Sequence, residues 1–172
     1  INARRHRADA AAMQHGHAVA VARHLGQFVR AQNDGAALGL QRCDDFIEYM
    51  DHVCDSMVSC FNYVENKFGK FDILHAHDWH TVNALANIKH HKGYPFVWTC
   101  HSTEYGSNGN NFNPSWFSAR IRHREWLGGC ISTRVITVSN TMKYEIMREY
   151  QTPDWKIDVV YNGIDLEKYK GG

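Results

Sequence analysis

The chain has 172 residues, 44% of them hydrophobic and 22% charged, and a net charge of +1. That length holds one domain with a full core, or one lobe of a larger protein, and the composition excludes a disordered chain as the default. The near-zero charge gives no electrostatic case for nucleic acid or an anionic membrane, and no apolar run approaches the roughly 18 residues of a spanning helix. A soluble, cytoplasmic protein is expected. Five cysteines, Cys43, Cys54, Cys60, Cys100 and Cys130, form an odd set without a C-x-x-C pair. Such spacing argues against a disulfide framework or a zinc ribbon and for reduced thiols.

Residues 1–42 have a different texture. Arg4, Arg5, Arg7, Arg23 and Arg30 face only Asp9 and Asp34, alanine is frequent, and Ile1 stands where an initiator Met would be. An organelle transit peptide has this look, but the remnant of the first βα units of a lobe is the preferred reading. Gln14-His15-Gly16-His17 and Ala18 to Ala22 read as a helix end, a glycine stop and a small strand.

From Cys43 the pattern is clearer. Asp44 or Asp45 is placed to cap a long helix with Phe46, Ile47, Met50, Val53, Cys54, Met57, Val58, Phe61 and Val64 along one side, stopped by Gly69. Phe71, Ile73 and Leu74 then supply a buried strand that runs into His75-Ala76-His77-Asp78-Trp79-His80-Thr81. Asp78 sits where a helix cap is expected, ahead of Ala84, Leu85 and Ile88 at helical spacing. His75 and His77 are expected on opposite faces of the strand end, one of them as a hydrogen-bonded core histidine.

His90-His91-Lys92-Gly93 ends that helix with cations and a glycine, and Pro95 opens the strand Phe96 to Cys100. His101 follows at the strand's carboxyl end. Ser102 to Asn111 reads as a flexible polar loop, rich in the Gly and Asn that tolerate left-handed backbone, and such loops carry binding residues. Pro114 opens a helix with Phe117, Ile121, Trp126 and Leu127 that ends before Gly128-Gly129. Arg134 to Val138 is a third strand, and Ser139 caps a helix from about Thr141 to Tyr150. Thr152-Pro153-Asp154 is a turn. Ile157 to Tyr161 is a fourth strand, followed by Asn162-Gly163-Ile164-Asp165. His80, His90, His91 and His123 are most simply surface or packing residues.

Strands alternating with helices of this length predict an α/β fold, a doubly wound parallel, Rossmann-like sheet. Parallel pairing brings His77, His101, Ser139 and Asn162 to one rim, where ligands of such sheets bind. A histidine there can accept from or donate to sugar hydroxyls at neutral pH, and the helix start after Ser139 can meet phosphate oxygens. Asp78 has a second reading as a mere cap, Glu104 as a solvated charge, and Asn162 before Gly163 as a turn.

Those rim residues carry a resemblance. The segment His75 to Thr81 resembles one in the N-terminal lobe of glycogen and starch synthases and their relatives. Thr99-Cys100-His101-Ser102-Thr103-Glu104-Tyr105-Gly106, with Asn108-Gly109, is similar to the acceptor-side loop of that branch. Val135 to Ser139 and Val160 to Asp165 resemble the next two landmarks in order and spacing. The resemblance spans about residues 43–169 and points to the retaining, two-lobed (GT-B) nucleotide-sugar glycosyltransferases.

It implies transfer of a hexose, glucose first among candidates, from a nucleotide sugar to a glycan acceptor, with retention and without an obligatory metal or resident cofactor. His101 would be the catalytic-side contact to the donor sugar. Asp78 and Glu104, with His77, Asn108, Ser139 and Asn162, would line the substrates. The organisation it implies is a poorly defined segment 1–42, a Rossmann-like acceptor-side domain 43–161, and the start of an interdomain hinge at 162–172. The glycine-rich loop after the first strand is absent, and the donor lobe that would follow Lys168 is missing from the chain, so the 172 residues alone are expected not to turn over substrate. Two rivals remain: a metal-dependent hydrolase built on His75, His77 and Asp78, and a non-catalytic glycan-binding module.

Overall fold

The computed structural model describes residues 40–164, with side chains from Asp45. Two compact units divide the chain, residues 1–45 and 46–172, and the fold is that of the second. The expectations for residues 1–39, among them the Gln14–Ala22 reading, and for 165–172, the rest of the hinge, lie outside the described residues.

Helix α1 runs Leu40–Phe68. It passes through Asp44 and Asp45, so neither caps it. Phe46, Ile47, Met50 and Cys54 recur at helical spacing and are buried, with Val58 and Phe61 packed on the core beyond them. Gly69 ends the helix at φ +95°, its N–H donating to the carbonyl of Glu65 at 2.8 Å.

Strand β1 is Leu74–His77, shorter than expected. Its first ladder bond runs from Leu74 N–H to the carbonyl of Pro95 at 3.1 Å. Pro95 has no N–H to return, and among the described residues no partner continues the ladder upstream. Ile73 is therefore 54% exposed rather than core, and Phe71 turns to the Phe61 ring at 5.6 Å.

A 3-10 turn, Trp79–Thr81, precedes α2, Val82–Lys92. Asp78 makes no capping bond, so its expected role as cap fails. Gly93 closes α2 at φ 72°, as its sequence implies. The next elements are β2 Phe96–Cys100, the short α3 Glu104–Ser107 and α4 Trp116–Ile131. They are followed by β3 Arg134–Thr137, α5 Asn140–Glu149 and, after a turn at Asp154–Lys156, β4 Ile157–Val159.

The four strands are parallel in the order β1-β2-β3-β4, each joined to the next through helix. This is the Rossmann-like α/β sheet expected. Phe96, Trp98 and Cys100 on inner strand β2, with Val135 beside them, are buried, as an inner strand covered by helices requires.

Two expectations for α4 change. Pro114 does not open it: the helix begins at Trp116, behind Ser115, whose hydroxyl caps it by accepting from Ser118 N–H at 3.2 Å. Gly128-Gly129 does not stop it. A Cβ on Gly128 would lie 2.9 Å from the Trp98 ring and one on Gly129 2.4 Å from Thr152 Oγ1. These glycines admit close packing rather than a turn. The carbonyls of Gly129 and Cys130 at the helix end are met by the Lys156 ammonium, each at 2.7 Å.

Candidate active site

The carboxyl ends of parallel strands share an edge, so His77, His101, Ser139 and Val160 leave the sheet on one rim. Asp78 is its structural pivot. The backbone there takes φ 53° and ψ 178°, a region that is essentially glycine's and costs a side-chain-bearing residue about 1–3 kcal/mol. Four bonds hold it. Asp78 N–H donates to the Thr99 carbonyl at 2.8 Å, and its own carbonyl accepts from Trp98 Nε1 at 3.1 Å and Thr81 Oγ1 at 3.2 Å. Its carboxylate Oδ1 accepts the backbone N–H of His101 at 2.8 Å. The turn after β1 thus fixes the residue that follows β2.

His101 is exposed, and its Nε2 lies 3.0 Å from Nδ1 of His77 with the rings nearly parallel at 5.2 Å. His75 stacks on His77 in turn at 4.5 Å, and its Nε2 meets Thr99 Oγ1 at 2.7 Å. His75 and His77 therefore share a face. Residues two apart on a strand point the same way, so the expectation of opposite faces, with one ring in the core, is overturned. Burial first, and then the neighbouring imidazoles of His75 and His101, push the His77 pKa down against the pull of Asp78. The two rings are joined edge to edge through His77 Nδ1 and His101 Nε2.

The segment after His101 is more ordered than a flexible loop. Thr103 caps α3, its hydroxyl accepting from Gly106 N–H at 3.0 Å. Glu104 and Asn108 are joined, the Asn108 amide donating to both the backbone carbonyl and the carboxylate of Glu104 at 2.7 Å. Gly109 and Asn110 take positive φ, as their residue types suggested. Ser139 accepts from Met142 N–H at 3.1 Å and so acts as the helix cap expected of it. Asn162 is exposed beyond β4. The rim brings His77, Asp78 and His101 into direct contact and Glu104 against Asn108; no hydrogen bond joins Ser139 or Asn162 to them among the described residues. Among those residues, too, no three His, Cys, Asp or Glu side chains are placed to hold a metal ion.

Residues that sequence reasoning passed over stand behind this rim. Glu125 of α4 is 2% exposed, and its Oε1 accepts Glu104 N–H at 2.8 Å while Oε2 accepts the Tyr150 hydroxyl at 2.6 Å. Burial pushes its carboxyl up to about 8, against the lowering effect of those two bonds. Arg124, equally buried, donates to Asp51 Oδ1 at 2.8 Å and lies over the Trp79 ring at 5.5 Å, bracing the turn that carries Asp78. A signal existed for both. Ile121, Arg124, Glu125 and Gly128 recur at helical spacing, yet the run Arg122 to Glu125 reads as a solvated face.

The sequence profile of Glycosyltransferase Family 4 matches residues 6–168. The chain belongs to this family. Among its relatives is an uncharacterized glycosyltransferase of Methanocaldococcus jannaschii, 39% identical over 107 residues that cover 59% of this chain and 27% of the relative. A D-inositol 3-phosphate glycosyltransferase of Frankia alni is 28% identical over 107 residues, 60% of this chain and 26% of that one. A glycogen synthase of Mycobacterium tuberculosis is 28% identical over 112 residues, 57% of this chain and 23% of the synthase. The chain thus spans about a quarter of the length of the curated relatives it matches. As a family 4 glycosyltransferase domain with a parallel α/β sheet, it has the character of a GT-B lobe. Among the described residues no helix is long and apolar enough to cross a membrane.

Proposed function

We propose that this lobe is the acceptor side of a glycosyltransferase that moves a hexose, glucose first, from a nucleotide sugar to a glycan or comparable hydroxyl acceptor with retention of configuration. The observation that carries the reading is the exposed imidazole of His101, fixed at the end of an inner strand by Asp78 behind its backbone and His77 beside its ring.

Departure of a nucleotide from a sugar builds positive charge on the ring and negative charge on the phosphate. A site lowers that barrier with dipoles already in place and an acceptor hydroxyl held in line. His101, hydrogen-bonded to His77, is suited to a sugar hydroxyl near the reacting carbon. The N–H groups that open α5 after Ser139 are suited to phosphate oxygens. Glu104 and Asn108, locked together on the neighbouring turn, offer carboxylate and amide edges to acceptor hydroxyls, and Asn162 leads into the hinge. The nucleotide sugar is a substrate here, and no resident cofactor or metal is invoked.

The relatives' names differ in acceptor, so the test carries both. Full-length gene product is assayed with UDP-glucose and ADP-glucose against maltooligosaccharide and inositol 3-phosphate, with the anomeric configuration of product read by NMR. His101→Ala is expected to cost about 10²-fold or more in kcat, with circular dichroism unchanged. Undiminished transfer by that variant, or an inverted product, defeats the reading.

A further inference from the structure

A four-residue helix cannot hold its own first turn, because its leading N–H groups have no carbonyl to bond within it. In α3 each of these donors is met from elsewhere. Glu104 N–H goes to the Glu125 carboxyl at 2.8 Å and Tyr105 N–H to the Tyr150 hydroxyl at 3.3 Å. Gly106 N–H goes to Thr103 Oγ1, whose hydroxyl is itself bonded to the Glu145 carboxylate. Glu125 and Tyr150 are bonded to one another at 2.6 Å and are both buried. Glu125 of α4 and Tyr150, just past the end of α5, thus meet under the backbone of one exposed turn.

A carboxyl there is costly. An apolar residue at the position would pack without the desolvation penalty, so retaining a buried acid makes sense only where its bonds fix something. What it fixes is the backbone of Glu104, whose side chain and carbonyl hold Asn108. We propose that Glu125, with Tyr150 as its partner, is a positioning residue for the acceptor edge formed by Glu104 and Asn108. Neither side chain reaches the exposed rim, and both act through the α3 backbone. This inference rests on the proposed acceptor role of the turn.

The test has two independent arms. Amide hydrogen exchange on the chain compares wild type with Tyr150→Phe, Glu125→Leu and Glu125→Gln at one pH. Tyr150→Phe and Glu125→Leu are expected to exchange Glu104 and Tyr105 about tenfold faster or more, with β2 and β3 unchanged. Glu125→Gln keeps an acceptor for Glu104 N–H and reverses the bond to Tyr150, its amide donating to the hydroxyl oxygen, and it restores protection. Kinetics of the full-length gene product should then show the maltooligosaccharide KM raised about tenfold in Tyr150→Phe and the nucleotide-sugar KM within about twofold. Unchanged exchange in both disruptive variants overturns the pinning. Faster exchange with both KM values unmoved, or raised together, overturns the positioning role. A wild type with no transferase activity fails the proposed function instead, and the exchange arm still decides whether the turn is pinned.

Discussion

At the scale of single residues, Glu125 is the most consequential group behind the rim. Its carboxyl sits at about 8 in the folded chain against a carboxylate's usual 4.5. Between these values the folded state binds the proton that the unfolded state has lost. Stability contributed this way is complete below about pH 4.5 and drains as pH rises through 8. Urea midpoints for wild type should therefore fall from pH 5 to pH 8.5, and Glu125→Gln should flatten that slope; parallel profiles would refute the assignment. His77 runs the other way. Burial and the neighbouring imidazoles lower its pKa, so its contribution is complete above the ordinary 6.5 and is lost as pH falls. The placement of His77, Asp78 and His101 together on the rim was legible because polar residues that follow parallel strand ends share one edge. It hid Glu125 because a carboxylate between Arg124 and Trp126 reads as solvated, and only a hydrogen-bonding partner distant in sequence, Tyr150, makes it tolerable inside.

At the scale of elements, α4 and β2 are keyed together. Gly128 lies flat on the Trp98 ring and against Val82, with no room for a methyl group. Gly128→Ala should destabilise by about 1–3 kcal/mol through forced displacement of Trp98, despite the better helix propensity of alanine, and calorimetry would detect it. A neutral or raised melting temperature would mean that the contact is slack. The elements themselves were mostly readable. Periodicity found the body of every long helix and of β2, β3 and β4, whereas β1 shares only Leu74 with its expected apolar run, and Gly69 and Gly93 acted as the stops they resembled. Boundaries failed where tertiary contact decides. Pro95 sets the start of β1 from across the ladder, and Trp98 turns Gly128 from a stop signal into a clearance. The turn after His101 looked unstructured because part of its order comes from Glu125 and Tyr150, distant in sequence, in addition to the Thr103 cap and the Glu104–Asn108 bonds of its own residues.

At the scale of the whole molecule, the four-stranded parallel sheet of the described residues places the candidate site along one edge and leaves stability to the core beneath. The two are in tension at Asp78, which holds a backbone geometry suited to glycine in order to present a carboxylate to His101. Asp78→Gly should leave the melting temperature unchanged or higher, since relief of about 1–3 kcal/mol of strain offsets one lost bond. Transfer by the full-length gene product should drop, with His101 no longer tethered; a stable variant of full activity would show that the tether is idle. Any campaign that selects this lobe for heat resistance alone will be drawn toward glycine at that position. On the proposed role of the tether it would harvest sturdier proteins that have forgotten their chemistry, and a screen for turnover belongs beside the screen for durability.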